Sequence, residues 1–160
     1  MSSDNTKQLE ARVQDLEAEC EIRNLIARYL LKVDAKDFEG IAETFTKDGV
    51  MDFGGLVGLG NYRGRKAIAK VFRDTEGVSG FTWHLAHTPY IEVHGDRAIG
   101  HWGWTVLGLP GAEAFELGGV YYDEYVKTDE GWKIKKKVAT AYYAMQFGKW
   151  DNQGFYGPTR

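Results

Sequence analysis

Two hydrophobic periods divide this chain. From Leu9 to Val33, apolar side chains recur every three or four residues, at Leu9, Val13, Leu16, Cys20, Ile22, Leu25, Ile26, Tyr29, Leu30 and Val33, with Glu, Arg and Lys between them. That spacing lays one apolar stripe along an α-helix, in one piece or two. Asp37 suits the N-cap of a second, short helix over Phe38 to Phe45, and Gly64 precedes a third from about Arg65 to Arg73. Between these two, Val50-Met51-Asp52-Phe53 reads as a strand and Gly54 to Gly60 as a glycine-rich turn region. After residue 80 the period becomes two. Strands are predicted over Phe81 to Val93, Ala98 to Leu109, Gly119 to Thr128 and Trp132 to Phe147, with turns at His94-Gly95-Asp96, Pro110-Gly111 and Asp129-Glu130-Gly131. Helices first and strands afterwards indicate an α+β domain in which helices cover one side of a curved antiparallel sheet.

Composition narrows the class. A chain of 160 residues, 43% hydrophobic and 14% aromatic, can bury one substantial core. We therefore expect a single domain over residues 1–160, with its core at about 9–147 and a tail at 148–160. The formal charge of -3 is spread among interspersed acids and bases, which offers no footprint for nucleic acid or an anionic membrane. Lys135-Lys136-Lys137 alternates across a strand and reads as a solvated face. The lone Cys20 excludes an internal disulfide framework and a cysteine-rich zinc site. The first residues are polar, and no apolar run approaches the ~20 residues of a membrane span. A cytoplasmic protein is expected.

Candidate chemistry gathers around Trp83-His84-Leu85-Ala86-His87-Thr88-Pro89-Tyr90. An imidazole on a strand facing an aromatic interior can take or return a proton near neutral pH without a metal or an organic cofactor. Asp34 lies near the C-terminal end of its helix, where the macrodipole disfavours a carboxylate, so it needs a partner. A histidine N–H is a natural one, because accepting from it fixes the ring tautomer. Asp34 could instead cap the second helix, with Asp37 satisfying the same turn. His84 could likewise be a core histidine donating to a backbone carbonyl. His87, three residues on, points to the opposite face from His84 on a regular strand, which argues against a two-histidine metal site. No metal or other cofactor is expected.

Alternation suggests the walls of a pocket. Trp102, Trp104 and Val106 share one strand face, and His101, Gly103 and Thr105 the other. Tyr143 falls on the face of Ala139 and Ala141, where the alanines leave room for a ligand. Phe53, Leu56, Val57 and Leu59 in the glycine-rich stretch would form a lip over the entrance. Packing of a plain core explains the aromatic residues equally well. The tail carries Trp150, Phe155 and Tyr156, which could close the pocket or cross onto another subunit.

The order of these pieces resembles a known family. Ala27-Arg28-Tyr29 through Val33-Asp34-Ala35-Lys36-Asp37-Phe38, then His84, then Gly95-Asp96-Arg97-Ala98, Tyr121-Tyr122-Asp123-Glu124-Tyr125 and Asp129-Glu130-Gly131-Trp132, are similar to the SnoaL-like branch of the nuclear transport factor 2-like superfamily. The resemblance spans about residues 9 to 147. Within the branch, His84-Leu85-Ala86-His87-Thr88-Pro89 is similar to the bile acid 7-alpha dehydratases, and the helix-end Asp with the strand His matches the acid/base pair of the scytalone dehydratases. Membership implies a cone-shaped α+β barrel, with a curved mixed or antiparallel sheet wrapped around three N-terminal helices, and an apolar pocket open at one end. A homodimer or homotrimer built on the outer sheet face is implied as well. Tyr29, Asp34 and His84 fall on the family's pocket tyrosine, carboxylate and histidine. At Val106 and Ala141, where the bile acid enzymes place a carboxylate and an arginine, this chain has aliphatic residues.

Two functions are then open. The first is a lyase, most simply a dehydratase, acting on a small hydrophobic or aromatic ring compound, with the same residues also suited to isomerisation, cyclisation or deformylating carbon–carbon cleavage. The second is a non-catalytic module that binds a small molecule or assembles through the same pocket or sheet.

Overall fold

Burial begins halfway along the first helix. The computed structural model describes residues 2–75, 80–109 and 113–149. Helix α1 (Ser2–Asp34) is one continuous piece. Leu9, Val13 and Leu16 in its first half are exposed, whereas Ile22, Leu25, Ile26, Tyr29, Leu30 and Val33 are buried. The helix packs against the sheet and the next helix, and its buried residues lie in this second half.

The helix ends in a tight reversal. Lys36 N–H donates to Val33 O at 3.0 Å and Asp37 N–H to Lys32 O at 2.9 Å, the paired bonds of a Schellman motif. Lys36 holds the left-handed position of that motif, with φ 58°. Asp37 then caps α2 (Phe38–Glu43), accepting from Gly40 N–H at 2.9 Å. This helix stops two residues short of the expected Phe45. Thr44 closes it by donating its hydroxyl to Ile41 O at 2.6 Å, and β1 (Phe45–Asp52) starts at once. A short 3-10 turn (Leu56–Gly58), β2 (Asn61–Arg63) and α3 (Arg65–Thr75) follow. α3 buries Ile68, Ala69, Val71 and Phe72 in the common core.

The remaining elements are β3 (Phe81–Ala86), β4 (Tyr90–His94), β5 (Arg97–Leu109), β6 (Glu113–Thr128) and β7 (Gly131–Lys149). They form one sheet in the order β2-β1-β7-β6-β5-β3, with β4 continuing along the same edge of β5. β1 runs parallel to β7 and every other pair is antiparallel, so the sheet is mixed. The three helices pack on its concave side. Among the described residues β2 and β3 are the two ends of the sheet and do not pair, so the cone is open.

Irregularities in register correct three expectations. The single strand predicted over Phe81 to Val93 is two, because Ala86 pairs with Trp104 and Tyr90 with His101, leaving one more residue on this side than on β5. Pro89, which has no N–H to donate, lies in the break. On β7, Glu124 pairs with Lys136 but Tyr125 with Ile134, so Lys135 is an extra residue. That bulge turns Lys137 inward, and Lys137 is 0% exposed rather than part of a solvated lysine face. A second bulge pairs Gly118 with Tyr143 and Gly119 with Ala141, leaving Tyr142 extra. Beyond it the faces exchange, and Tyr143 lies across Gly118 on the outer side. β6 also starts earlier than expected, at Glu113, which lengthens the wall it forms with β7.

The inward Lys137 creates a buried ionic cluster. Its ammonium lies 2.6 Å from Asp123 Oδ2, and the same oxygen accepts from Trp102 Nε1 at 2.7 Å and Tyr125 OH at 2.6 Å. The ring faces of Trp102 and Tyr121 stand 4.4 Å from the ammonium, and that of Tyr29 4.7 Å. Burial pulls the Lys137 ammonium below its usual range, and the Asp123 charge opposes that pull. Burial also pushes the Tyr125 phenol well up, reinforced by the Asp123 charge. Aromatic faces and a carboxylate together replace the water that this cation loses.

Candidate active site

β3 is the last strand on its side of the sheet, so its outer backbone groups have no strand to bond. The end of α1 supplies a partner. The His84 backbone N–H donates to both Asp34 oxygens, each at 3.1 Å, and the His84 ring Nδ1 lies 2.6 Å from Asp34 Oδ1. An ionised carboxylate only accepts, so Nδ1–H is the donor in this contact, and in the neutral ring Nε2 is then the acceptor nitrogen. The His84 side chain is 9% exposed and that of Asp34 22%. Asp37 performs the capping that Asp34 could have performed, which leaves Asp34 free for the strand.

His84 faces the concave side. It pairs in register with Val106 and, with Trp104 and Val106 of β5, lines a cavity of about 200 Å³. Tyr29 of α1, Phe53 after β1, Leu56 of the 3-10 turn and Ala139 of β7 line the same space. So does Leu59, another residue of the expected lip, and so do Phe72, Thr75, Phe115, Leu117 and Tyr121, which the sequence reading leaves out of the site. For Tyr121 and Leu117 the signal was present, since alternation along β6 places them on one face. Phe72 and Thr75 required knowing which way α3 leans.

Of the predicted site residues, the fold brings together His84, Asp34, Tyr29, Trp104, Val106, Phe53 and Leu56. Trp102 is placed elsewhere: it is buried in the ionic cluster beneath Tyr121 and does not line the cavity. Tyr143 is on the outer face, 41% exposed, with its hydroxyl donating to Glu116 at 2.6 Å. Accepting Glu116 pushes its phenol up from the ordinary value. Ala141 is exposed beside the same bulge and outside the cavity lining. The Tyr143 correction follows from the extra residue Tyr142, which breaks the alternation started at Ala139, whereas Ala141 precedes that residue and keeps the face of Ala139.

The remaining histidines lie apart from the cavity. His87 lies over Gly103 on the outer face, with Nε2 2.8 Å from Thr105 Oγ1. His101 is exposed with its ring 4.9 Å from that of Tyr122, and His94 lies 3.1 Å from Glu92. Among the described residues, no three His, Cys, Asp or Glu side chains gather as a metal site would require. No helix among them is long and apolar enough to cross a membrane. The Val57 side chain and the tail residues Trp150, Phe155 and Tyr156 lie outside the described residues, as does the turn at Pro110-Gly111.

Comparison with known proteins adds family and fold. A SnoaL-like domain model matches residues 14–138. The solved structure of a Mycobacterium tuberculosis protein of unknown function is 30% identical, with a TM-score of 0.74, and the match covers 82% of this chain and 75% of that one. A type 2 hexachlorocyclohexane dehydrochlorinase superposes with a TM-score of 0.79 at 21% identity, over 90% of this chain and 99% of its own. A candidate scytalone dehydratase from Novosphingobium aromaticivorans superposes with a TM-score of 0.70 at 20% identity, over 89% of this chain and 90% of its own. At those identities the last two establish a shared fold.

Proposed function

The chain belongs to the SnoaL-like domain family, and from that premise we propose that it is a cofactor-independent lyase that eliminates water or a comparable leaving group from a small hydrophobic ring compound. The observation that carries this is the His84–Asp34 contact at 2.6 Å at the wall of an apolar cavity. The names of the two superposing proteins, a dehydrochlorinase and a dehydratase, both describe eliminations.

In this reading Nε2 of His84 removes a proton from carbon while Asp34 holds the ring and stabilises the imidazolium that forms. The C–H electron pair becomes the new double bond as the bond to the leaving oxygen breaks. Tyr29, on the same cavity wall, supplies the proton that lets that oxygen depart as water, and solvent exchange returns the His84 proton to the phenol. A volume of about 200 Å³ lies below the ~300–1,000 Å³ usual for drug-sized ligands, which favours one small ring system over a fused polycycle.

The test is turnover of a panel of hydroxylated and halogenated monocyclic compounds by the protein and its His84→Ala variant, read by mass spectrometry. Loss of water or hydrogen halide that disappears with the substitution supports the proposal. An isobaric product or loss of formaldehyde would reassign the reaction to isomerisation or carbon–carbon cleavage. Turnover that survives His84→Ala overturns the mechanism, and tight binding of ring compounds without turnover favours a binding module.

A further inference from the structure

We infer that Lys36 is a positioning residue for the His84–Asp34 pair, clamping β3 to the end of α1 through Thr82. The first observation is conformational. Lys36 occupies the left-handed C′ position of the Schellman motif at φ 58°, where glycine is the usual residue and any Cβ is unfavourable. A lysine at that position is an energetic cost that its backbone role does not explain.

The second observation is where the side chain goes. Lys36 Nζ donates to Thr82 Oγ1 at 2.7 Å. Thr82 is buried on β3, two residues before His84 and on the same inward face, paired with Gly108 of β5. Asp34 and Lys36 stand two residues apart at the end of α1. They therefore grip β3 at two successive inward positions, the carboxylate at His84 and the ammonium at Thr82. Because β3 is an end strand, held by β5 on one side only, this pair of contacts fixes how far His84 stands from the helix end. A positive charge at this helix terminus also favours the nearby carboxylate against the macrodipole.

The inference takes the His84–Asp34 pair as the working pair of the proposed function, but its test does not depend on turnover. Lys36→Gly removes the ammonium and relieves the left-handed backbone together, while Lys36→Met removes the ammonium and keeps the Cβ. Thr82→Val removes the acceptor at nearly constant shape. Each variant is followed by thermal unfolding, by hydrogen exchange of the His84 amide and by the NMR signal of the His84 Nδ1–H proton.

We expect Lys36→Gly to unfold at or above the temperature of the unmodified chain. In the same variant the His84 amide exchanges at least about tenfold faster and the Nδ1–H signal broadens, as loss of one charged hydrogen bond would produce. Lys36→Met and Thr82→Val should reproduce the faster exchange, the two together should add nothing further, and Lys36→Arg should restore it. Unchanged His84 exchange and an unchanged Nδ1–H signal in both Lys36→Gly and Lys36→Met would overturn the inference. If His84 loosens as expected while His84→Ala leaves turnover intact, the clamp stands and the catalytic reading falls.

Discussion

Asp34 holds His84 twice, accepting its backbone N–H at 3.1 Å on each oxygen and contacting its ring Nδ1 at 2.6 Å. One carboxylate therefore both closes an open strand edge and selects the imidazole tautomer. In the proposed mechanism function and fold depend on the same residue, and substitutions can separate them. His84→Ala leaves the Asp34 contact to the backbone in place, so we expect turnover to fall ~10²–10⁴-fold with little loss of stability. Asp34→Ala removes all three contacts and should lower both turnover and stability, the latter by about 1.5–3 kcal/mol in urea unfolding. Equal stability of the two variants would contradict this account.

The buried Lys137–Asp123 pair predicts a marked non-additivity. Lys137→Met leaves the Asp123 carboxylate buried without its cation and should cost about 3–5 kcal/mol. Replacing both partners, as Lys137→Met with Asp123→Asn, removes the orphaned charge, so the double variant should be more stable than Lys137→Met alone. Denaturant unfolding of Lys137→Met, Asp123→Asn and the double variant decides it. A double variant at the sum of the two single losses would show that the residues do not act as a pair.

Alkaline pH provides a test of Tyr125. Folding raises its phenol well above the ordinary value of 10.0 through burial and the Asp123 charge. The folded chain thus keeps a proton that the unfolded chain releases. Stability from this group is intact below about pH 10 and declines above it, by about 1.4 kcal/mol per pH unit until the folded value is reached. Tyr125→Phe abolishes that decline. The stability difference between the original chain and Tyr125→Phe should therefore shrink from pH 10 to pH 11, and a difference constant with pH would refute the assignment.

The bulge at Tyr142 predicts which β7 positions touch a ligand. Ala139 lines the cavity, whereas Tyr143 is on the opposite face. Ala139→Leu should fill the space, weaken binding of ring compounds at least tenfold and cost about 1–3 kcal/mol from overpacking. Tyr143→Phe should leave binding unchanged. Calorimetric titration with a compound that the chain turns over or binds tests both, and the reverse ranking would place the cavity on the wrong face.

On the outer face, Trp83, Tyr90, Tyr122, Tyr142 and Tyr143 are all exposed. We propose that these aromatic residues form the surface through which copies of the chain assemble. We expect light scattering to give the mass of a dimer or trimer, and Trp83→Glu with Tyr142→Glu to shift it toward the monomer. A monomer at every concentration would overturn the expected assembly.

Much of this protein follows from local periodicity. A three-to-four spacing before residue 34 and a two-residue spacing after residue 80 dictate helices then strands, because each period puts one apolar face against a core. Asp37 was recognisable as a cap from its place before Phe38, and Tyr29, Asp34 and His84 from their order within a family pattern. What periodicity does not carry is register. Lys137 and Tyr143 each sit one inserted residue beyond where alternation places them, and the insertions exist only because β7 must pair with β6 along its whole curved length. The same holds for the approach of Lys36 to Thr82, 46 residues away. The chain's own pattern thus determined the elements, the faces within each regular stretch and the residues able to do acid/base chemistry. Tertiary structure alone decided the bulges, the buried cation and the clamp at β3, since these arise from pairing between segments far apart in sequence.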